Sequence, residues 1–366
     1  MMRNSEIARM RLYNQQISHP VFESPEQVVR WMTATQAQNY YASLWAIGLR
    51  TSPAAGITEP DIEQAVAEKK IVRTWPMRGT LHFVAAEDVR WMLELLTPRV
   101  IRSAAGRYRD LELDEATFKK SRDLLEKALR GGKQLINSEL YHVLQQGGIS
   151  TEGQRGYHIL TFLAMERVIC MGPRRGKQHT FTLLDEWLPA AKNLQREETL
   201  GELARRYISS HGPATDYDFA AWAGLTLKDA RMALDISGPE FAQTETGGKT
   251  FWFSEETESP AKASSDTYFL PAFDEILSGY KDRSVVLRSD QNKDVILKNG
   301  IFKPVMIMNH KVTGSWKRIL KKESVVLEME PFMPLKKEEI KRLRQASLPY
   351  GRFLGMEIIL TGVGDK

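Results

Sequence analysis

Two glutamines separated by a single residue are the first candidates for chemistry in this chain. Gln36 and Gln38 flank the small Ala37, and apolar runs lie on both sides of them. A glutamine amide supplies one acceptor oxygen and two N–H donors, but it is not a strong base. In a continuous helix the two side chains would face opposite sides, whereas in an extended or helix-start backbone both could face one cleft. The alternative is that both are ordinary helix or cap residues.

Helices on both sides would position this pair. Ser24, Pro25 and Gln27 form a helix-start pattern, with Ser24 as the cap, Pro25 at the first helical position and Gln27 reaching back. An apolar stripe follows over 28–32, and a second covers 40–47. A capped helix start, two short β-type runs around a break with proline and glycine, and a further helical stretch then complete residues 58–110.

The same order of elements recurs. Helices predicted at 114–129, 138–146 and 151–167 precede strands at 168–171 and 180–184. A third copy starts near Glu198 and ends in a hairpin closed by two glycines. Three helices followed by a hairpin is the order of a winged helix-turn-helix unit, whose third helix commonly enters the major groove of DNA.

We therefore predict an α+β fold with three tandem winged helix-turn-helix units and a C-terminal antiparallel α+β cap. A generic mixed α/β fold is the alternative. A polar stretch at 254–266 reads as a linker before the cap. The predicted segments are 1–110 for the first unit with the glutamine pair, 111–190 for the second, 191–254 for the third, and 255–366 for the linker and cap.

The composition limits the class of protein. The chain has 366 residues, of which 42% are hydrophobic and 27% charged, which is ordinary for a soluble protein of two or three domains. Its net charge of +5 is compatible with nucleic acid binding. No apolar run has the length of a bilayer span and the N-terminus has no signal-peptide core, so we expect a cytoplasmic protein without a membrane partner.

Several chemistries lack their motifs. The single cysteine, Cys170, excludes an internal disulfide and a multi-thiolate zinc site. Gly248-Lys249-Thr250 ends like a phosphate loop, but that motif needs glycine where this chain has Gln243. Zincin, zinc-deaminase and α/β-hydrolase motifs are missing, and the seven histidines have no metal-ligand spacing. We expect neither a metal nor a cofactor.

The winged-helix interpretation identifies candidate DNA contacts. Arg174, Arg175 and Lys177 lie in the loop between two predicted strands, where they would neutralise phosphates as a wing. A solvated basic turn is the alternative. Lys249 lies at the tip of the third hairpin.

The first hairpin supplies two more candidates and a core residue. Arg78 and His82 lie on or beside this hairpin, although His82 equally fits a hydrogen-bonded structural residue. Trp75 is more typical of a core than of a stacking surface.

Six motifs spread over almost the whole chain resemble one family. The motifs are Thr35-Gln36-Ala37-Gln38, Arg73-Thr74-Trp75-Pro76-Met77-Arg78-Gly79-Thr80-Leu81-His82, Gly172-Pro173-Arg174-Arg175-Gly176-Lys177-Gln178, His211-Gly212-Pro213-Ala214-Thr215, Leu270-Pro271-Ala272-Phe273-Asp274 and Asn299-Gly300-Ile301-Phe302-Lys303-Pro304. Together they resemble the winged-helix AlkZ/YcaQ-like DNA glycosylases, proteins of three tandem winged helices. The Trp-x-Met-Arg-Gly-Thr-x-His run is the most specific of the motifs.

The resemblance implies a monofunctional DNA glycosylase. Such proteins cleave the N-glycosidic bond of cationic, bulky N7-alkylpurines, and some unhook interstrand crosslinks. Gln36 and Gln38 would place a water against the sugar C1′ while the cationic base leaves without a general acid. Branches of the family differ at these positions, and glutamine at both resembles the crosslink-unhooking branch. An uncharged pair implies slow or absent excision of neutral damaged bases.

The resemblance also implies the partner. We expect damaged double-stranded DNA, bound by a monomer in the cytoplasm and associated with the nucleoid. The alternative function is a non-catalytic winged-helix DNA-binding protein, either a regulator or a resistance protein that sequesters damaged duplex. Asp274 and Asp282 bracket a further family-like stretch, and we expect a structural role for them because carboxylates beside phosphates are costly.

Overall fold

The computed structural model describes residues 2–188, 195–255 and 266–362. The chain divides into two compact units. We call residues 1–62 with 200–366 unit 1, and residues 63–199 unit 2. The predicted linker falls largely outside the described residues, as does the predicted boundary between the second and third repeats. The four predicted segments therefore stay a prediction.

The first half of the chain is mostly helical, with two hairpins. Its helices and strands are α1 Asn4–Asn14, α2 Pro25–Met32, β1 Thr35–Gln36, α3 Tyr40–Gly48, α4 Glu59–Ala67, β2 Ile71–Met77, β3 Thr80–Ala85, α5 Val89–Ser103, α6 Ala105–Asp110, α7 Glu115–Leu129, β4 Leu135–Ile136, α8 Asn137–Gln146, α9 Arg155–Met165, β5 Ile169–Met171, β6 Thr180–Leu183 and α10 Leu184–Trp187.

The second half contains a third hairpin and a larger sheet. Its helices and strands are α11 Arg196–His211, α12 Asp216–Ala223, α13 Leu227–Ser237, β7 Ala242–Thr246, β8 Lys249–Phe253, β9 Thr267–Leu270, α14 Glu275–Ser278, α15 Asn292–Val295, β10 Val305–Met308, β11 Lys311–Leu320, β12 Ser324–Pro331, α16 Lys337–Leu354 and β13 Glu357–Thr361. No helix in the described parts of the chain is both long and apolar enough to cross a bilayer.

The predicted order of three helices and a hairpin occurs three times: α2, α3, α4, β2, β3, then α7, α8, α9, β5, β6, then α11, α12, α13, β7, β8. The helix start predicted at Ser24 forms with Gln27 reaching back: the Ser24 N–H donates to Gln27 Oε1 at 3.2 Å. Helix α7 is capped by Asp114, whose Oδ1 accepts from the Thr117 N–H at 2.7 Å. The assignment of each repeat as a winged helix stays a prediction.

Unit 2 contains an antiparallel sheet, in which β3, β2, β5, β6 and β4 pair in that order. Arg78 and Gly79 join β2 to β3 with positive φ angles of 57° and 69°. A two-residue hairpin turn of this kind requires positive φ at both positions, which explains the glycine. Trp75 lies in the core as predicted, with its ring stacked 6.3 Å from that of Phe181.

The C-terminal sheet of unit 1 differs from the prediction at its last strand. Strands β10, β11 and β12 pair antiparallel as predicted, with the two-residue turn between β10 and β11 at Asn309 and His310. Strand β9 also pairs antiparallel with β10. Strand β13 instead pairs parallel with β12. Helix α16 lies between these strands in the chain, and a crossover helix is the usual connection between parallel neighbours. The cap is therefore a mixed sheet, not a purely antiparallel one.

A buried ion pair links the end of α3 to the start of α14 in unit 1. Both side chains are fully buried, and the Arg50 guanidinium donates to both oxygens of Asp274 at 2.9 and 3.0 Å. Arg50 also donates to the Ala46 carbonyl and to Gln15 Oε1, so most of its donors are satisfied. A bidentate arginine–carboxylate contact is among the stronger polar interactions in proteins.

Removing one charge of this pair leaves the other buried without its partner. We expect Asp274→Asn to lower the free energy of unfolding by about 3–5 kcal/mol, measured by chemical denaturation. Asp290→Asn, which breaks the exposed pair with Arg288 in the same unit, is the matched control and should cause no measurable change. Equal stability of Asp274→Asn and the parent protein would contradict this account.

Candidate active site

The segment that carries the glutamine pair begins with a strained turn. Thr33 directly follows helix α2, and its backbone has φ 66° and ψ −49°. The Ala34 N–H donates to the Met32 carbonyl at 2.8 Å, which closes a γ-turn centred on Thr33. γ-Turns with positive φ are rare and strained, especially at a β-branched residue. The chain is thereby redirected from the helix into the extended strand β1.

Gln36 and Gln38 lie on non-helical backbone between α2 and α3. Gln36 ends β1 and is 6% exposed, whereas Gln38 is exposed. The Gln38 backbone N–H donates to Gln36 Oε1 at 2.9 Å, so the first amide supports the backbone of the second residue. Asn39 then caps α3 by accepting from the Ala42 N–H. The helical arrangement that would separate the two amides does not occur.

A buried carboxylate holds the Gln36 backbone. Glu275 is 1% exposed, and its Oε1 accepts from the Gln36 N–H at 3.1 Å. Its Oε2 accepts from the Trp222 indole N–H at 3.1 Å and lies 3.6 Å from His211 Nε2. Burial lowers the pKa of the His211 imidazole, although Glu275 opposes that shift. The two oxygens of Glu275 thus contact different parts of unit 1: Oε1 binds the Gln36 backbone, and Oε2 faces Trp222 and His211.

Asp274 and Glu275 are consecutive and bind the two ends of one segment. Asp274 binds Arg50, just after α3, and Glu275 binds Gln36, just before it. Asp274 Oδ1 also accepts from the Ile276 N–H and so caps α14. These contacts favour the expected structural role of Asp274.

In unit 2, Arg78 and His82 contact one another. Arg78 Nη2 lies 3.3 Å from His82 Nε2, and His82 Nδ1 lies 3.0 Å from the Thr80 carbonyl oxygen. Because a carbonyl only accepts, His82 Nδ1 carries the proton and Nε2 accepts from Arg78. His82 is fully buried, so the geometry favours the structural alternative for this residue.

The basic loop between β5 and β6 is held by carboxylates of unit 2. Arg174 is 11% exposed and lies 3.0 Å from Glu63, while Arg175 lies 2.8 Å from Glu139. Arg175 also donates to the Gln134 carbonyl. Lys177 is exposed, and within the described residues no ion pair to it is found. Arg174 and Arg175 are therefore paired with carboxylates, whereas Lys177 has no such pair within the described residues.

A histidine at the end of this loop is kept neutral. The Arg73 guanidinium lies 2.9 Å from His179 Nε2, which must accept this hydrogen bond. Burial, together with the nearby Arg73 and Arg174, lowers the pKa of His179 to about 4. His179 therefore adds no positive charge to the loop at neutral pH.

Lys249 belongs to unit 1 and lies 2.5 Å from Asp282. Burial raises the pKa of Asp282, but the Lys249 ammonium and hydrogen bonds from Ser284 outweigh it and bring the pKa to about 2. Asp282 thus organises the third hairpin through Lys249. Within the described residues, no group of three histidine, cysteine, aspartate or glutamate side chains could hold a metal ion.

Comparison with known proteins identifies the family. The family model described as DNA glycosylase AlkZ-like matches residues 29–353, which is most of the chain. The chain belongs to this family. Membership assigns the protein to a class of enzymes, the DNA glycosylases, and makes DNA its substrate. The resemblance predicted from the six motifs is confirmed.

Both the comparison with curated proteins and the comparison with solved structures match this AlkZ-like chain to Streptomyces sahachiroi. The Interstrand DNA cross-link repair glycosylase of that organism is 26% identical to this chain, in an alignment that covers 96% of this chain and 96% of that protein. The solved structure of Streptomyces sahachiroi DNA glycosylase AlkZ aligns with a TM-score of 0.77 at 22% identity, over 98% of this chain and 99% of that chain. The structural likeness confirms the α+β fold class.

The sequence interpretation missed Glu275 and Trp222 as neighbours of the glutamine pair. Glu275 is separated from Gln36 by 239 positions, so no local pattern connects them. The available signal was the pair of consecutive acidic residues directly after the apolar stretch 270–273, because two adjacent carboxylates in a buried context need two sets of donors.

The lowered pKa of His179 predicts how unfolding depends on pH. Between its ordinary pKa of 6.5 and the folded value of about 4, the unfolded chain binds a proton that the folded chain does not. We therefore expect stability to be complete above this range and to fall as the pH drops through it. An NMR titration of the His179 imidazole should have its midpoint near 4, and His179→Gln should reduce the acid-induced loss of stability. A midpoint near 6.5 would contradict the buried, Arg73-bonded geometry.

Proposed function

We propose that this AlkZ-like protein hydrolyses the N-glycosidic bond of cationic, bulky N7-alkylpurines in duplex DNA, with Gln36 and Gln38 positioning the water. The proposal rests on the way the two glutamines are held. The Gln36 backbone N–H binds Glu275, the Gln36 side chain accepts from the Gln38 backbone, and Gln38 is exposed. Such an arrangement supplies a preorganised set of amide donors and acceptors beside solvent.

The chemistry of the leaving group explains why neutral amides would suffice. An N7-alkylated guanine carries a positive charge, so it departs as a neutral base without protonation. The remaining requirements are a water placed against C1′ and an environment that tolerates an oxocarbenium-like sugar. The water replaces the base at C1′ and its proton passes to solvent, so the products are free base and an abasic site. Because water and not an amine attacks, the enzyme would be monofunctional.

The name of the Streptomyces sahachiroi relative supports adding interstrand crosslinks to the proposed substrates. A protein of 26% identity across 96% of both chains is named an interstrand DNA cross-link repair glycosylase. A crosslink between two N7 positions contains two cationic purines, so hydrolysis at either one would unhook the strands, and the same reaction at the other would free the crosslinked bases. We include the unhooking of such crosslinks in the proposed function. Acting on damaged duplex as a monomer would place the protein with the nucleoid.

Lys177 is the strongest of the proposed phosphate contacts. Arg174 and Arg175 would have to exchange carboxylate partners for phosphates, and Lys249 would have to leave Asp282. Lys177 is exposed on the wing loop and needs no such exchange with a carboxylate of the described residues. Arg78 would contact DNA from the first hairpin, and the buried His82 would support it through the hydrogen bond between their side chains.

The direct test is excision of a bulky N7-guanine adduct and of 7-methylguanine from duplex DNA in EDTA. Wild-type protein should release the free bulky base and leave the strand intact until alkali treatment. The variant Gln36→Ala with Gln38→Ala should lose at least about a hundredfold in the single-turnover rate and keep its duplex affinity. Gln64→Ala, an exposed glutamine on α4, is the matched control and should excise normally. Full excision by the double variant would contradict the assignment of the pair.

The wing contact has its own test. We expect Lys177→Ala to weaken duplex binding equally for all sequences and to reduce the slope of log K against log salt by about one. Lys127→Ala, an exposed lysine on α7 of the same unit, should leave the slope unchanged. Identical slopes for Lys177→Ala and wild type would remove Lys177 from the interface.

A further inference from the structure

Glu275 is buried where a carboxylate is expensive to place. It is 1% exposed, and burying a carboxylate is strongly unfavourable unless hydrogen bonds replace its water. Its two oxygens meet that requirement with donors from two different parts of unit 1, the Gln36 backbone and the Trp222 indole. A carboxylate is the natural group for this position, because both of its oxygens only accept when it is ionised.

We propose that Glu275 is a positioning residue for the glutamine pair: its carboxylate fixes the Gln36 backbone and, through it, the site at which the water is held. This inference rests on the proposed function, because it assigns a role to Glu275 only through Gln36 and Gln38. Glu275 is not itself a catalytic residue, since its side chain is buried and its oxygens are directed at Gln36 and Trp222.

The glutamine segment is anchored by a side chain from a distant part of unit 1. It begins with the strained γ-turn at Thr33, and its strand β1 is only two residues long. The bond from Glu275 reaches the segment at Gln36, at the end of this strand. Because Gln36 Oε1 accepts from the Gln38 N–H, a shift of the Gln36 backbone moves both amides together. A displacement of about 1 Å in a catalytic arrangement can cost about a hundredfold in rate.

The third repeat keeps Glu275 in one orientation. Trp222 on α12 is fully buried, and its ring lies 5.3 Å from that of His211, which in turn stacks 4.7 Å from Tyr207. The Tyr207 hydroxyl donates to the Gly279 carbonyl at the end of α14. An aromatic layer from α11 and α12 therefore supports the short helix that begins with Glu275. The first repeat would depend on the third for the geometry of its glutamines.

The test uses Glu275→Gln in the full-length protein. An amide has one acceptor oxygen, so it satisfies either the Gln36 N–H or the Trp222 N–H and turns an NH₂ group toward the other donor. We expect the single-turnover excision rate of a bulky N7-guanine adduct to fall by at least about tenfold, while the duplex Kd stays within about twofold of wild type. Hydrogen exchange measured by mass spectrometry on peptides covering 34–38 should become faster.

Trp222→Phe and Trp316→Phe complete the experiment. Trp222→Phe removes the donor to Glu275 Oε2 but leaves the Gln36 contact, so we expect a smaller loss of rate and a smaller gain in exchange at 34–38. Trp316 is also buried, and its indole donates to the Leu270 carbonyl of the same unit. Trp316→Phe is thus the matched control for loss of a buried indole donor, and it should alter neither quantity. If Glu275→Gln does not fold, Trp222→Phe carries the test.

The outcomes separate this inference from the proposed function. Wild-type excision by Glu275→Gln or by Trp222→Phe, with the Gln36→Ala and Gln38→Ala double variant inactive, would overturn the role of Glu275 alone. Loss of excision and of DNA affinity in equal measure would assign Glu275 to general stability and would also overturn it. Full excision by the double variant would overturn the proposed function, and this inference with it.

Discussion

Two consecutive buried carboxylates, Asp274 and Glu275, constrain the candidate site from both ends. Asp274 binds Arg50 after α3, and Glu275 binds the Gln36 backbone before it. A fully buried charge needs partners of good geometry, and here the partners are supplied by a segment more than 220 positions away. The contacts of Asp274 and Glu275 therefore hold the segment that carries the glutamine pair at both of its ends.

This constraint is what we expect of a site whose proposed chemistry depends on holding a water in a fixed position. The Thr33 γ-turn and the Gln36 to Gln38 hydrogen bond define a backbone path that the local sequence has little means to hold alone. Neutral amides contribute no strong acid or base, so their value in the proposed reaction depends on where they hold a water and on a leaving group that is already cationic. Rigid support behind such a pair is what the proposed mechanism requires.

Local patterns predicted much of the fold. The caps at Ser24 and Asp114 and the glycine at 79 specify helix starts and a hairpin through interactions within a few residues. The parallel pairing of β13 depends on a helical crossover, and strand direction cannot be read from alternation of side chains. The γ-turn was unexpected because threonine disfavours positive φ. The six family-like motifs predicted the family, whereas the Glu275 contact joins residues 239 positions apart.

The most direct test of the central claim compares leaving groups of different charge in the wild-type protein. Two duplexes of one sequence would carry either an N7-alkylguanine or the neutral 1,N6-ethenoadenine, with single-turnover excision and Kd measured for both. If the reaction depends on two neutral amides in fixed positions and on a cationic leaving group, the N7-alkylguanine is released. The ethenoadenine duplex is then bound without measurable release of its base. Comparable release of the neutral base would contradict the account, because a neutral purine needs a general acid that Gln36 and Gln38 do not supply.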